Sequence, residues 1–173
     1  MSGSSPLANS APAGLSDAHR RALALILRRL AGHDAVWALT GSSAFALQGL
    51  PIQAHDIDLQ TDAAGAYHCE RLLAEFTVRP VAFRQAESIR SHFGSLKIEG
   101  VDVEIMGGIE KRGEDGAWSA AADLPPLIRW VKSGDLRLPV LPLGYEAGAY
   151  RAMGRGERAA LIERWIADHP EDE

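Results

Sequence analysis

The sequence predicts an α+β fold: a small mixed β-sheet with helices on one side, plus short C-terminal helices. Two observations predict it. Helical and strand-like patterns follow one another as helix, strand, helix, strand, helix, then several strands, then helices. Two pairs of short apolar segments are also split by turn residues, the mark of β-hairpins.

The elements follow in order. "MSGSSPLANSAPAGL", residues 1–15, is small and polar and reads as a flexible leader; it lacks the basic and apolar regions of a secretory signal. "SDAHRRALALILRRLA" is an amphipathic helix with Ser16 as N-cap, Asp17 in the first turn and Gly32 as its stop. "AVWALT", 35–40, suits a buried strand. Gly41 breaks it, and a short helix starting at Ser42–Ser43 runs to Gly49-Leu50-Pro51. "HDIDLQT" alternates polar and apolar residues as a strand with one polar face. Residues 64–76 are helical. "TVRPVAFRQ" is an edge strand, because Pro80 cannot donate to a central ladder. Residues 91–108 form a hairpin about Glu99-Gly100. A second hairpin turns at Lys132-Ser133-Gly134-Asp135. "GYEAGAYRAMGRGERAALIERWIADH" gives one helix interrupted near Gly154–Gly156, or two short ones. The chain thus divides into a leader (1–15), a core (16–140) and a C-terminal helical segment (141–169).

Bulk properties exclude several functions. With 173 residues and 46% apolar content the chain suits one globular domain. No apolar run reaches the ~18 residues of a membrane span. Cys69 is the single cysteine, which rules out an intramolecular disulfide and a multi-cysteine zinc site and points to the cytoplasm. A net charge of −5 argues against a protein that coats nucleic acid.

The chemistry concentrates in acidic residues. Asp56 and Asp58 are two apart on the predicted strand, so their carboxylates leave the same face with Cα atoms ~6.6–6.8 Å apart. Asp102 and Glu104 repeat the pattern in "VDVEIMG". One such pair describes any half-exposed acidic strand. Two pairs brought side by side repel and raise each other's pKa unless a cation sits among them. Oxygen donors of this kind suit Mg²⁺, whose shell is completed by water and substrate phosphates. Upstream, Gly41 lets the backbone approach a ligand closely, and the helix start at Ser42–Ser43 offers N–H groups to a phosphate.

Together "WALTGSS", the helix to Gly49, "DIDL" and "VDVEIM" resemble the nucleotidyltransferase superfamily typified by DNA polymerase β. "TGSSAFALQGLPIQAHDIDL" is similar to its small bacterial branch of minimal nucleotidyltransferases, antibiotic adenylyltransferases and abortive-infection toxins. The resemblance covers about residues 35–165. It implies transfer of a nucleoside monophosphate from an NTP, such as ATP, to an acceptor hydroxyl, with release of pyrophosphate. Gly41, Ser42 and Ser43 would hold the triphosphate. Asp56 and Asp58 would bind two Mg²⁺ ions, with Mn²⁺ as a substitute. Glu104 is favoured over Asp102 as the third acid, which takes the acceptor's proton. The acceptor is a small molecule, an RNA end or a protein. The alternative is a non-catalytic or toxin–antitoxin component of the same fold, acting through a protein partner. Two positions depart from the family pattern: Gln53-Ala54-His55 stands where relatives carry a basic residue, and Tyr150 or Arg151 stands near the place of a nucleotide-contacting lysine. Trp118, Trp130, Tyr145 and Tyr150 are candidates to stack on a base; Lys111, Arg112 and Lys132 are candidates to line an acceptor cleft.

Overall fold

The computed structural model describes residues 14–170. Helix α1 (Asp17–Leu30) begins at Ser16, whose hydroxyl accepts the His19 N–H at 3.2 Å. Strand β1 (Trp37–Thr40) leads directly into the short helix α2 (Gly41–Leu47). Strand β2 (Ile57–Thr61) is followed by α3 (Ala63–Leu72), capped by Asp62, whose carboxylate accepts the Gly65 N–H at 2.6 Å. The helix expected to run to residue 76 stops at Leu72, and a single 3₁₀ turn covers Ala74–Phe76.

Three long strands come next: β3 (Thr77–Gln85), β4 (Ile89–Ile98) and β5 (Val101–Lys111). Both residues between β4 and β5 have positive φ, 54° at Glu99 and 77° at Gly100, the requirement of a two-residue type I′ turn. The second hairpin is β6 (Arg129–Ser133) and β7 (Leu136–Val140). The C-terminal region is two helices, α4 (Leu143–Ala152) and α5 (Gly156–Asp168), parted at Gly154, where φ is 73°.

The strands form one seven-stranded mixed sheet in the order β3-β4-β5-β2-β1-β7-β6. The edge position expected for the Pro80 strand holds. The β2–β5 and β1–β7 pairs are parallel, and the others are antiparallel. Alternation along the strands gives the sheet two unlike faces. On one, Leu39, Ile57, Leu59, Val103 and Ile105 meet the apolar stripes of α1 (Ala22, Leu23, Ile26) and α3 (Ala66, Cys69) in the main core. The other face carries Thr40, Asp58, Gln60, Glu104 and Met106, and α4 stands over it with Tyr145 and Glu146 turned into the same cleft. Phe45 and Leu50 join Leu143, Ala147 and Ile162 in a second core that seats α4 and α5 on α2.

The leader expected over 1–15 lies outside the described residues except for its last two. Gly14 accepts the Ala54 N–H at 3.1 Å, and Leu15 packs against the main core. No helix among the described residues is long and apolar enough to cross a membrane.

Leu59 is fully buried in the central strand between the two functional rows, whereas Val78 on the edge is 68% exposed. Leu59→Ala is expected to lower the urea-unfolding free energy by about 2–5 kcal/mol, and Val78→Ala to stay within about 0.5 kcal/mol.

Candidate active site

The site is set by register. In the parallel β2–β5 ladder Asp58 stands opposite Glu104, and in the antiparallel β1–β2 ladder it stands opposite Thr40. Glu104, Asp58 and Thr40 therefore form one rung across three strands. Met106, Gln60 and Ala38 form the next rung on the same face. Asp56 comes from the loop: the strand expected to include it begins at Ile57.

That loop is tied down from several sides. Ser42 Oγ accepts the His55 N–H at 3.0 Å and lies 3.5 Å from Asp56 Oδ1. The Ser43 hydroxyl donates to the Asp56 carbonyl. His19, held by Ser16 at 2.7 Å, reaches the His55 carbonyl with Nε2 at 3.1 Å. Asp56 is thereby placed beside Asp58, and carboxylate oxygens of Asp56, Asp58 and Glu104 all come within 4.8 Å of one another.

Gly41 makes this proximity possible. Its φ is 69°, and a Cβ there would lie 2.2 Å from Asp58 Oδ2. The glycine is needed for a left-handed turn and for room against the carboxylate.

The four acidic residues singled out in the sequence part company here. Asp102 shares a face with Glu104 but lies one repeat away from the cluster, 73% exposed at its side chain and paired with Lys97 Nζ at 2.7 Å. The register therefore brings Glu104, and not Asp102, beside Asp58. Ser43 is fully buried, and its hydroxyl is committed to the backbone beneath the turn. Gly41 and Ser42 stay at the turn's surface or just under it. Of the other candidates, Lys111, Tyr145 and Tyr150 line the cleft beside Asp58. Trp118 lies between Arg90 and Arg112, 4.5 and 5.8 Å from their guanidinium carbons. Trp130 and Lys132 are on the outer strand β6. Arg151 pairs with Glu163 on the surface.

Three further residues carry no sequence signal of their own. Glu146 of α4 is 5% exposed, and the Thr40 hydroxyl donates to it. Gln60 is 7% exposed on the rung next to Asp58. Arg155 supplies positive charge at the mouth of the cleft, together with Lys111.

The electrostatics follow from crowding. Burial pushes the Asp58 carboxyl up to about 8, with repulsion from Asp56, Glu104 and Glu146 adding to it. Glu104 is raised by burial and by Asp56. Burial lifts Glu146 to about 7 against the opposing pull of Thr40, Lys111 and the Gly41 N–H. Lys111 is lowered by its own burial. No ion pair among the described residues includes Asp56, Asp58 or Glu104. These three oxygen donors could together hold a hard divalent cation.

Recesses open on both sides of the cluster. One, about 230 Å³, runs from Gly41 and Asp58 past Gln60 to Ile89 and Ile109 under α4. The other, about 350 Å³, is bordered by His55, Asp56, Asp102 and Glu104.

A family model described as aminoglycoside-2''-adenylyltransferase matches residues 22–164. A candidate nucleotidyltransferase from Thermotoga maritima is 44% identical to the chain, with a TM-score of 0.79 over 91% of this chain and 98% of that one. The lincosamide antibiotic adenylyltransferase LnuA, solved with lincomycin bound, shares the fold at 14% identity, with a TM-score of 0.51 over 87% of this chain and 98% of that one. No curated protein matches the chain.

Between the ordinary carboxyl value of 3.8 and the folded-state value of about 8, the folded protein holds a proton on Asp58 that the unfolded chain has released. Asp58 should therefore make metal-free stability fall as pH rises from about 4 to about 8, contributing a slope of up to about 1.4 kcal/mol per pH unit. Asp58→Asn should flatten that slope and leave the metal-free protein more stable than wild type at pH 8, as read by urea unfolding across pH.

Proposed function

Because the chain belongs to the aminoglycoside-2''-adenylyltransferase family of nucleotidyltransferases, we propose that it transfers a nucleoside monophosphate from an NTP to a hydroxyl of a cationic small molecule and releases pyrophosphate. The observation that carries this reading is the Asp56–Asp58–Glu104 cluster standing between two recesses of unlike character. The recess with Lys111, Arg155, Tyr145 and Tyr150 suits an anionic, aromatic nucleotide. The recess with Asp56, Asp102 and Glu104 suits a cationic acceptor such as an aminoglycoside.

Asp56, Asp58 and Glu104 would hold Mg²⁺, with Mn²⁺ as a substitute. When bound, the cations neutralise the carboxylates and stabilise charge on the phosphate oxygens. The Gly41–Ser42 turn positions the β- and γ-phosphates, and Arg155 borders the same cleft. Glu104 borders the acceptor recess and takes the hydroxyl proton as the acceptor oxygen attacks the α-phosphorus. The new P–O bond forms as the bond to the pyrophosphate oxygen breaks, and the leaving group departs toward the basic residues. Positioning and electrostatics supply most of the rate.

The test is label transfer from each α-labelled NTP, with Mg²⁺ or Mn²⁺, to aminoglycosides, lincomycin, tRNA and proteins offered in turn. Transfer to a cationic antibiotic is expected, lost on chelation. Asp58→Asn should reduce it by at least about 10²-fold, the scale of several kcal/mol of lost charge stabilisation. Transfer that survives chelation or Asp58→Asn, or a folded protein that labels nothing, would sink the reading.

A further inference from the structure

Gln60 has no part in the mechanism above, yet it occupies a chosen position. It follows Asp58 by one strand repeat, ~6.6–6.8 Å, on the same face. Its rung neighbours are Ala38, fully buried, and Met106, which lines the cleft with Ile89 and Ile109. Tyr145 closes that end from α4. Gln60 thus stands among apolar walls, with Ser88 and Lys111 beside Ile89 at the far end of the cleft. A nucleotide held by its α-phosphate at the Asp58 rung and running under α4 puts its ribose next and its base over the Gln60 rung.

A carboxamide has two donor and two acceptor positions. The Tyr145 hydroxyl lies beside Gln60. At 7% exposure the side chain is largely buried, and it borders the cleft. Buried polar groups are ordinarily paired, so this amide is short of partners that a base edge provides. Adenine presents the N6 donor beside the N7 acceptor, the pair that a glutamine amide engages with two hydrogen bonds; guanine presents two acceptors, N7 and O6, on the same edge.

We propose that Gln60 reads the N6/N7 edge of adenine and is the residue that makes the site prefer ATP to GTP. The proposal rests on the nucleotidyl-transfer reading above. The slot walls act with it: Ile89, Met106 and Ile109 reward a flat purine.

The experiment is equilibrium binding of ATP, GTP, CTP, UTP and 7-deaza-ATP to the full chain with Mg²⁺, for wild type, Gln60→Leu and Asp58→Asn. Wild type should bind ATP about 5- to 150-fold tighter than GTP, the range of one well-made two-bond contact. 7-Deaza-ATP, which lacks only the N7 acceptor, should lose most of that advantage without any change to the protein. Gln60→Leu should bring the ATP/GTP ratio to within about twofold of unity, whereas Asp58→Asn should weaken all four nucleotides by similar factors. If ATP and 7-deaza-ATP bind wild type equally, or if Gln60→Leu keeps the wild-type preference, the proposal falls while nucleotidyl transfer stands. If no nucleotide binds wild type in the presence of Mg²⁺, the parent reading falls and takes the proposal with it.

Discussion

Everything in the site depends on holding three carboxylates together with no cationic side chain among them. Asp58 and Glu104 are forced into opposition by the parallel β2–β5 register, and Asp56 is brought in by a loop that cannot retreat. Left to themselves these groups would separate or stay protonated. The surrounding structure prevents separation: Gly41 lies against Asp58, the two serines anchor residues 55 and 56, and His19 braces the same segment from α1. The serine–glycine turn is thus a device for assembling acids.

The other face of the sheet explains why such a costly arrangement is tolerated. Leu23, Ile26, Leu59 and Ile105 are fully buried between the strands and helices α1 and α3. Burial on this scale gives roughly 1.5–3 kcal/mol per large side chain, which offsets the repulsion a few ångströms away. Stability and chemistry are divided between the two sides of the same strands, residue by alternate residue, so that Ile57 and Leu59 support what Asp58 and Gln60 do.

Much of this was legible in the chain. Alternation at 56–59 and 101–106 identified the strands and their acidic sides, Glu99-Gly100 marked its hairpin, and Pro80 marked an edge. What escaped was whatever depends on contacts across the fold. Glu146 reads as an ordinary helical glutamate until α4 is seen to bring it to Thr40, 106 residues away in sequence. Gln60 has no local signal, because its role comes from the strands on either side of it. The choice between Glu104 and Asp102 could not be made from alternation, since both obey it; it took the pairing of Asp58 with Glu104 and of Asp102 with Lys97. The bond of the Ser43 hydroxyl to the Asp56 carbonyl was likewise invisible in the sequence, because it spans thirteen residues.

The parallel pairing of β2 with β5 has a consequence for how the protein comes into being. Parallel neighbours need a long crossover between them, and here it contains α3, β3 and β4. The contacts that unite Asp58 with Glu104 are therefore among the non-local ones, which form slowly because the intervening loop must close first. A chain with its hairpins made and its crossover still open has the acids but no cluster. A cation bound by all three residues would recognise only the finished molecule, and by mass action would draw the population toward it. With such a cation the site would act as a proofreader of its own scaffold, rewarding chains whose topology is complete.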